Sequence, residues 1–243
     1  MRRTPSAGNQ KIVETARGNA FVPACGFFFC MKLKNIFPET ISAIVFDFGG
    51  VILDVDLSKT VRAFERLGVK NLSAAETQVG SGTFFEANER GEFSREEFWQ
   101  KLRERAPELA LRSDTELHAA WDELLGDFVP ARIDLLRDLR KNYRTFLLSN
   151  TNEAHRETFL RRFSEQIGGD MNALFEQAFY SDLLGTVKPS HEIFEKTEKL
   201  AALVPAETLF IDDNAKNVAA ARECGWHAYH LVPGKESILD LFE

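Results

Sequence analysis

The stretch "SAIVFDFGGVILDVDLSK", residues 42–59, runs from a strand signal straight into an acid. Ala43 to Phe46 are apolar, Asp47 ends the run, and Gly49 and Gly50 follow two residues later. Short β-branched and aromatic runs stopped by glycine read as buried strands. A buried strand that ends on a carboxylate and then turns on glycine exposes one acid with nothing in front of it. That arrangement suits chemistry at a strand end.

Similar runs recur downstream. "RTFLLS" (144–149) and "TLFID" (208–212) read as buried strands, and "HAYHL" (227–231) and "AFYS" (178–181) as further short ones. Helical patterns lie between them: 151–163, then 190–203 behind Pro189, then 214–225 ending on Gly225. Proline suits a first helical turn and glycine a helix stop. Strands alternating with helices from 142 onward imply βαβ units and a mostly parallel sheet, an α/β fold with a Rossmann-like αβα core.

Residues 58 to about 141 show no strand pattern. Three Ser-x-x-Glu capping boxes occur there: Ser73 with Glu76, Ser94 with Glu97, and Ser113 with Glu116. Apolar residues recur at helical spacing, among them Phe64, Phe98, Trp121 and Leu136. The organisation expected is a core of 39–57 and 131–243 with a helical insert over 58–130. Residues 1–38 are read as a poorly ordered leader, and Met31 as an internal start. "VPAC" (22–25) looks like a lipoprotein box, but Pro23 and the interrupting charges break the export-signal pattern.

Ligands of parallel sheets sit beyond the carboxyl ends of the strands. Those ends carry Asp47, then Ser149 with Asn150, then Asp212 with Asp213; a helix-start loop adds Lys188. Clustered carboxylates repel unless a cation joins them, and an oxygen-rich set suits Mg²⁺. Ser149 and Lys188 are donors for phosphate oxygens, and Asp47 could attack phosphorus as a carboxylate nucleophile.

Together these segments resemble the haloacid dehalogenase-like hydrolase superfamily. "IVFDFGGVILD", "LLSNTN", "GTVKPSHEIF" and "LFIDDNAKN" are similar to its four motifs, in order, across 42–232. The helical insert matches the position and type of its C1 cap. The style is closest to the sugar-phosphate phosphatases of the group, bacterial α-D-glucose-1-phosphate phosphatase among them. The resemblance implies Asp47 as nucleophile and Mg²⁺ ligand, the Gly49 carbonyl and Asp212 as further ligands, and Asp213 in a supporting position. It implies Ser149 and Asn150 on the phosphoryl group, Lys188 neutralising that group and orienting Asp47, and Asn217 steadying the acidic loop. A Mg²⁺-dependent phosphomonoesterase acting on a small phosphorylated metabolite follows.

One position departs. Most phosphatases of this superfamily carry an acid–base Asp two residues after the nucleophile, and here it is Gly49. Such help is typically worth ~10²–10⁴ in rate. An activated leaving group, such as that of a sugar 1-phosphate, would need less of it. A substitute acid is the second answer, with Asp54 read as a helix-start residue and Asp56 as the more interesting carboxylate. A phosphate-binding module with little turnover is the third. A metal-independent 2-haloacid dehalogenase also lacks the second Asp, but the retained Asp212–Asp213 pair argues for a cation.

Bulk properties agree with a small ligand. Net charge is −7 over 243 residues, which disfavours nucleic acid as the main partner. No segment reaches the ~20 apolar residues of a membrane span, and a cytoplasmic enzyme is expected. Three cysteines without regular spacing make no disulfide framework. The five histidines share no metal spacing, and His155 is read as a surface helix position. The polar residues Glu86, Asn88, Glu89 and Arg90, and the aromatics Phe84, Phe85, Phe93, Phe98 and Trp99, could line a pocket; ordinary amphipathic helices are the preferred reading for most of them.

Overall fold

The computed structural model describes residues 31–34, 36–70 and 84–243. Its strands are β1 Ala43–Phe46, β2 Leu53–Val55, β3 Leu125–Phe128, β4 Arg144–Ser149, β5 Gln177–Tyr180, β6 Thr208–Asp212 and β7 His227–His230. Its helices are α1 Leu57–Arg66, α2 Phe84–Glu89, α3 Arg95–Arg105, α4 Asp114–Trp121, α5 Pro130–Leu139, α6 Glu153–Gln166, α7 Ser181–Leu184, α8 His191–Ala201 and α9 Ala215–Glu223.

Five strands form one sheet in the order β5-β4-β1-β6-β7, parallel throughout. β1 is central because both of its faces are apolar. Ile44 and Phe46 join Leu147, Leu209 and Ile211 in one layer, packed by Phe159 of α6 and Leu136 of α5. Ala43 and Val45 join Phe146, Leu148 and Phe210 in the other, packed by Phe194 of α8 and Ala221 of α9. Burial on both faces is what a parallel sheet between helices requires.

The helical insert has a separate core. Phe64, Phe98, Trp99, Leu117 and Trp121 fill it, with Phe84, Phe85 and Phe93 packed on its edge. The preferred reading of those aromatics therefore holds: they pack the insert. The capping boxes at Ser94–Glu97 and Ser113–Glu116 are both formed; the one at Ser73–Glu76 lies outside the described residues.

Four expectations need correction. First, the chain joins the core before residue 39. Leu33 bridges Phe242, and Lys32 and Glu243 exchange backbone hydrogen bonds of 2.8 and 2.9 Å. Second, a strand does occur in the stretch read as helical. β3 pairs antiparallel with β2 where the chain leaves and re-enters the core. Four residues, one of them glycine, are too few to show a period. Third, Asp56 rather than Asp54 starts α1: its carboxylate accepts from the Ser58 amide at 3.0 Å. Asp54 instead pairs with Arg132 at 2.7 Å.

Fourth, His155 is buried. Its ring stacks on Trp121 at 4.9 Å and 8°. Nδ1 accepts from the Asn152 amide at 3.2 Å, and Nε2–H donates to the Trp121 carbonyl at 3.1 Å. Burial pushes its pKa down to about 4, and His118 and Arg162 add repulsion against the bonus from the Trp121 carbonyl. The folded pKa lies below the unfolded value near 6.5. The stability it contributes is therefore present above pH 6.5 and lost as pH falls toward 4. Between pH 7 and 4.5 the loss amounts to about 2.5 kcal/mol. Unfolding free energies from denaturant titrations should fall by that much more in the parent than in His155→Phe, which keeps the stack; equal falls would show that this imidazole does not set the slope.

Candidate active site

The register of the sheet assembles the site. Phe46 pairs with Leu147 on one side and Ile211 on the other, so Asp47 emerges level with Leu148 and Asp212. The Asp47 amide still donates to Ile211 at 2.8 Å, which fixes the strand end as the next residue turns away. Phe48 and Asp47 are buried, while Gly49 and Gly50 are half-buried. Gly50 has φ +74, and a Cβ there would stand 2.2 Å from Asp213 Oδ2. Only glycine lets the Asp213 carboxylate lie against this turn.

Lys188 reaches into the same point from the loop before α8. Its Nζ donates to Asp47 Oδ1 at 2.6 Å, Asp212 Oδ2 at 2.7 Å and the Leu148 carbonyl at 2.9 Å. An ammonium has three donors, so all are spent inside the protein. Lys188 and Asp212 are almost wholly buried. Burial works against the ammonium, but Asp212 and Asp47 outweigh it and hold its pKa at about 12. Burial pushes the Asp47 pKa up to about 7 against the attraction of Lys188, with Asp212 and Asp213 adding repulsion. Asp213 is likewise raised, by burial first and by Asp212 second.

The remaining expected residues divide. Asn150 clamps the Lys188 backbone, donating from Nδ2 to its carbonyl and accepting its amide, both at 2.9 Å. Its side chain is thus committed to the protein. The Ser149 hydroxyl is buried and, among the described residues, makes only a 3.4 Å contact to the Asn150 carbonyl. It does not cap α6; Asn152 does. Asn217 Nδ2 donates to both Asp212 oxygens, at 3.1 and 3.0 Å, and the Asn214 amide donates to Oδ1 at 2.7 Å. With Lys188, Asp212 has a donor at each of its four acceptor positions.

Oxygens of Asp47, Asp212 and Asp213 lie within 4.8 Å of one another. Three carboxylates against one ammonium leave an excess of negative charge in a buried place. The set fits a divalent cation of the hard, oxygen-seeking kind. The bridge between Gly49 and Leu53 uses the Phe48 carbonyl and the Gly50 amide, and leaves the Gly49 oxygen out of the ladder.

A family model for haloacid dehalogenase-like hydrolases matches residues 41–225. The chain belongs to the haloacid dehalogenase-like hydrolases. The match runs from the first strand to the glycine after α9 and so includes every residue of the acid cluster. Among curated proteins, D-ribitol-5-phosphate phosphatase of Bacteroides thetaiotaomicron is 32% identical over 196 residues, 81% of this chain and 94% of that one. A sesquiterpene phosphatase of Aspergillus oryzae is 28% identical over 208 residues, 83% of this chain and 95% of that one. Among solved structures, a haloacid dehalogenase family enzyme of B. thetaiotaomicron in complex with magnesium and inorganic phosphate superposes with a TM-score of 0.77 at 30% identity. That comparison covers 84% of this chain and 100% of the other.

Two features were missed in the sequence. One is the saturation of Asp212, which the spacing of Asn214 and Asn217 could have suggested. The other is Glu89 of α2. In the sequence it reads as one of several polar residues that could line a pocket, whereas the charges that bear on it are Lys188, Glu86 and Asp47. Among the described residues no helix is long and apolar enough to cross a membrane.

Proposed function

We propose that this hydrolase is a Mg²⁺-dependent phosphatase of small phosphorylated polyols or sugars that works through an aspartyl phosphate on Asp47. The observation that carries this reading is the Lys188 ammonium held between Asp47 and Asp212. It keeps one Asp47 oxygen fixed and leaves the other to attack phosphorus. The likeness to a ribitol-phosphate phosphatase supports the substrate class.

In this reading the phosphoryl group lies at the strand ends. The Ser149 hydroxyl, which has no strong partner among the described residues, donates to a phosphoryl oxygen. Lys188 orients Asp47 and neutralises the cluster from below. Asn150 acts through the Lys188 backbone rather than on phosphate. Mg²⁺ would be held by Asp47, the Gly49 carbonyl and the acidic pair, and would draw charge from the phosphoryl oxygens. Within that pair we assign the direct contact to Asp213, reversing the sequence expectation. Asp212 is saturated by donors, whereas the Asp213 carboxylate lies in the turn beside Gly50. The helical insert serves as the cap. Closed over the strand ends it excludes water during transfer, and it must open for substrate, since Asp47 is only 8% exposed.

The retained acid pair separates this from a metal-independent dehalogenase, which has no use for three carboxylates around one lysine. The test is a panel of ribitol 5-phosphate, sugar 1-phosphates, a prenyl phosphate and p-nitrophenyl phosphate, with Mg²⁺ and with chelator. Phosphate release from the polyol and sugar esters, lost with chelator, is expected. Halide release from 2-chloropropionate without metal, and no phosphate from any ester, would overturn the assignment.

A further inference from the structure

We propose that Glu89 is the general acid and base of this enzyme, working from the cap in place of the side chain that Gly49 lacks. The inference rests on the phosphatase reading above and goes further, naming the group that protonates the leaving alcohol.

The space at residue 49 is tight for a side chain. A side chain there would begin 3.2 Å from Val55 Cγ2. The two carboxylates that follow in the chain are both engaged at the surface, Asp54 with Arg132 and Asp56 with Ser58. Neither can serve. The cap brings a different carboxylate. Glu89 ends α2, and the next turn is pinned to the core. Gly91 has φ +69, and a Cβ there would stand 2.2 Å from the Asp182 carbonyl in α7. Asp182 is itself tied to α6 through Arg156 at 3.0 Å. α2 is therefore seated against the carboxyl edge of the sheet, just beyond β5.

The neighbouring acid is compensated: Glu86 pairs with Arg90. Glu89 is not. Its Oε2 is sealed from solvent and meets no hydrogen-bond donor among the described residues. A buried carboxylate oxygen without a donor is costly unless it is protonated or meets a partner that arrives later. Lys188 and Asp47 are near enough to act on its charge, so the carboxyl belongs to the nucleophile's surroundings. Burial, with Glu86 and Asp47 adding repulsion against Lys188, raises its pKa to about 8. A carboxyl in that range can hold a proton at neutral pH and also take one back.

The two half-reactions balance. Asp47 oxygen bonds to phosphorus while the bond to the ester oxygen breaks, and the Glu89 proton goes to that oxygen, releasing the alcohol. Water oxygen then bonds to phosphorus while the bond to Asp47 breaks. One water proton passes to the Glu89 carboxylate and the other stays on the departing phosphate. Both side chains return to their starting states.

The test compares the parent with Glu89→Gln on ribitol 5-phosphate and p-nitrophenyl phosphate, by rapid mixing with Mg²⁺. An alkoxide needs the acid and a nitrophenolate does not. The variant should lose about 10²–10³ on the polyol ester. On the aryl ester it should give a burst of p-nitrophenol close to the enzyme concentration, then slow turnover limited by hydrolysis of the aspartyl phosphate. The burst also shows that the variant is folded and that Asp47 is competent. Equal loss on both esters without a burst would mean a structural role. A raised KM for the polyol ester alone would mean hydroxyl binding. An unchanged variant would end the proposal as well. A parent inactive on both esters would instead sink the phosphatase reading itself.

Discussion

Asp47→Asn should abolish phosphate release while leaving the fold intact. The amide keeps the shape of the carboxylate and removes only its capacity to form a bond to phosphorus. The Asp47 carboxylate is held by a 2.6 Å contact to Lys188. Asp212 shares the burial, the strand-end position and a Lys188 contact, but its oxygens are also taken by Asn214 and Asn217, which leaves Asp47 as the carboxylate free to attack. A loss of roughly 10⁴-fold or more is expected, comparable to the loss of a nucleophile elsewhere. That corresponds to about 5 kcal/mol of transition-state stabilisation. Folding should not suffer, because burial dominates the environment of Asp47 and works against its charged form. Lys188 keeps Asp212 at 2.7 Å and the Leu148 carbonyl at 2.9 Å. Acid-quenched enzyme should carry labelled phosphate in the parent and none in the variant. Turnover retained by Asp47→Asn would remove Asp47 from the chemistry, whatever the rest of the cluster does.

The strand signals were legible because a parallel sheet buries both faces, which leaves unbroken apolar runs such as Ile44–Phe46 and Phe146–Leu148 between glycine and polar stops. The polar strand ends then stood out against them. Asp47, Ser149 and Asp212 were found for that reason and Lys188 from the helix-start loop around it, and the structure brings Asp47, Lys188 and Asp212 into contact. What stayed hidden depends on distance through space. β3 is four residues long and is made a strand by its partner β2, not by its own pattern. His155 occupies a helical position that its neighbours leave open to either side. It is Trp121, 34 residues earlier, that covers it. The engagement of Asp212 and the lone carboxylate of Glu89 arise from loops and helices that meet only in the fold. Residue type said which groups could do chemistry; tertiary contacts decided which of them are already occupied.

The same contacts make Lys188 the residue whose loss should be felt in both stability and rate. In Lys188→Met the stem is replaced by an apolar chain of similar length, so little cavity opens. What remains is two buried carboxylates facing each other, Asp212 wholly enclosed and Asp47 nearly so, without a counter-charge. Breaking a buried ion pair by removing one partner costs about 3–5 kcal/mol, because the survivor stays buried and unpaired. For a chain of this size that is about 10 °C in melting temperature. The Leu148 carbonyl and the Asp47 oxygen also lose their donor, so the nucleophile is no longer aimed. Rate should fall by about 10²–10⁴ together with stability. A divalent cation offers partial replacement of the lost charge, and Mg²⁺ should raise the melting temperature of Lys188→Met by more than that of the parent, following the usual linkage of binding to folding. Calorimetry with chelator and with Mg²⁺ measures both shifts. A variant that melts with the parent in chelator would mean that the two carboxylates do not depend on Lys188, and the electrostatic account of the site would have to be abandoned.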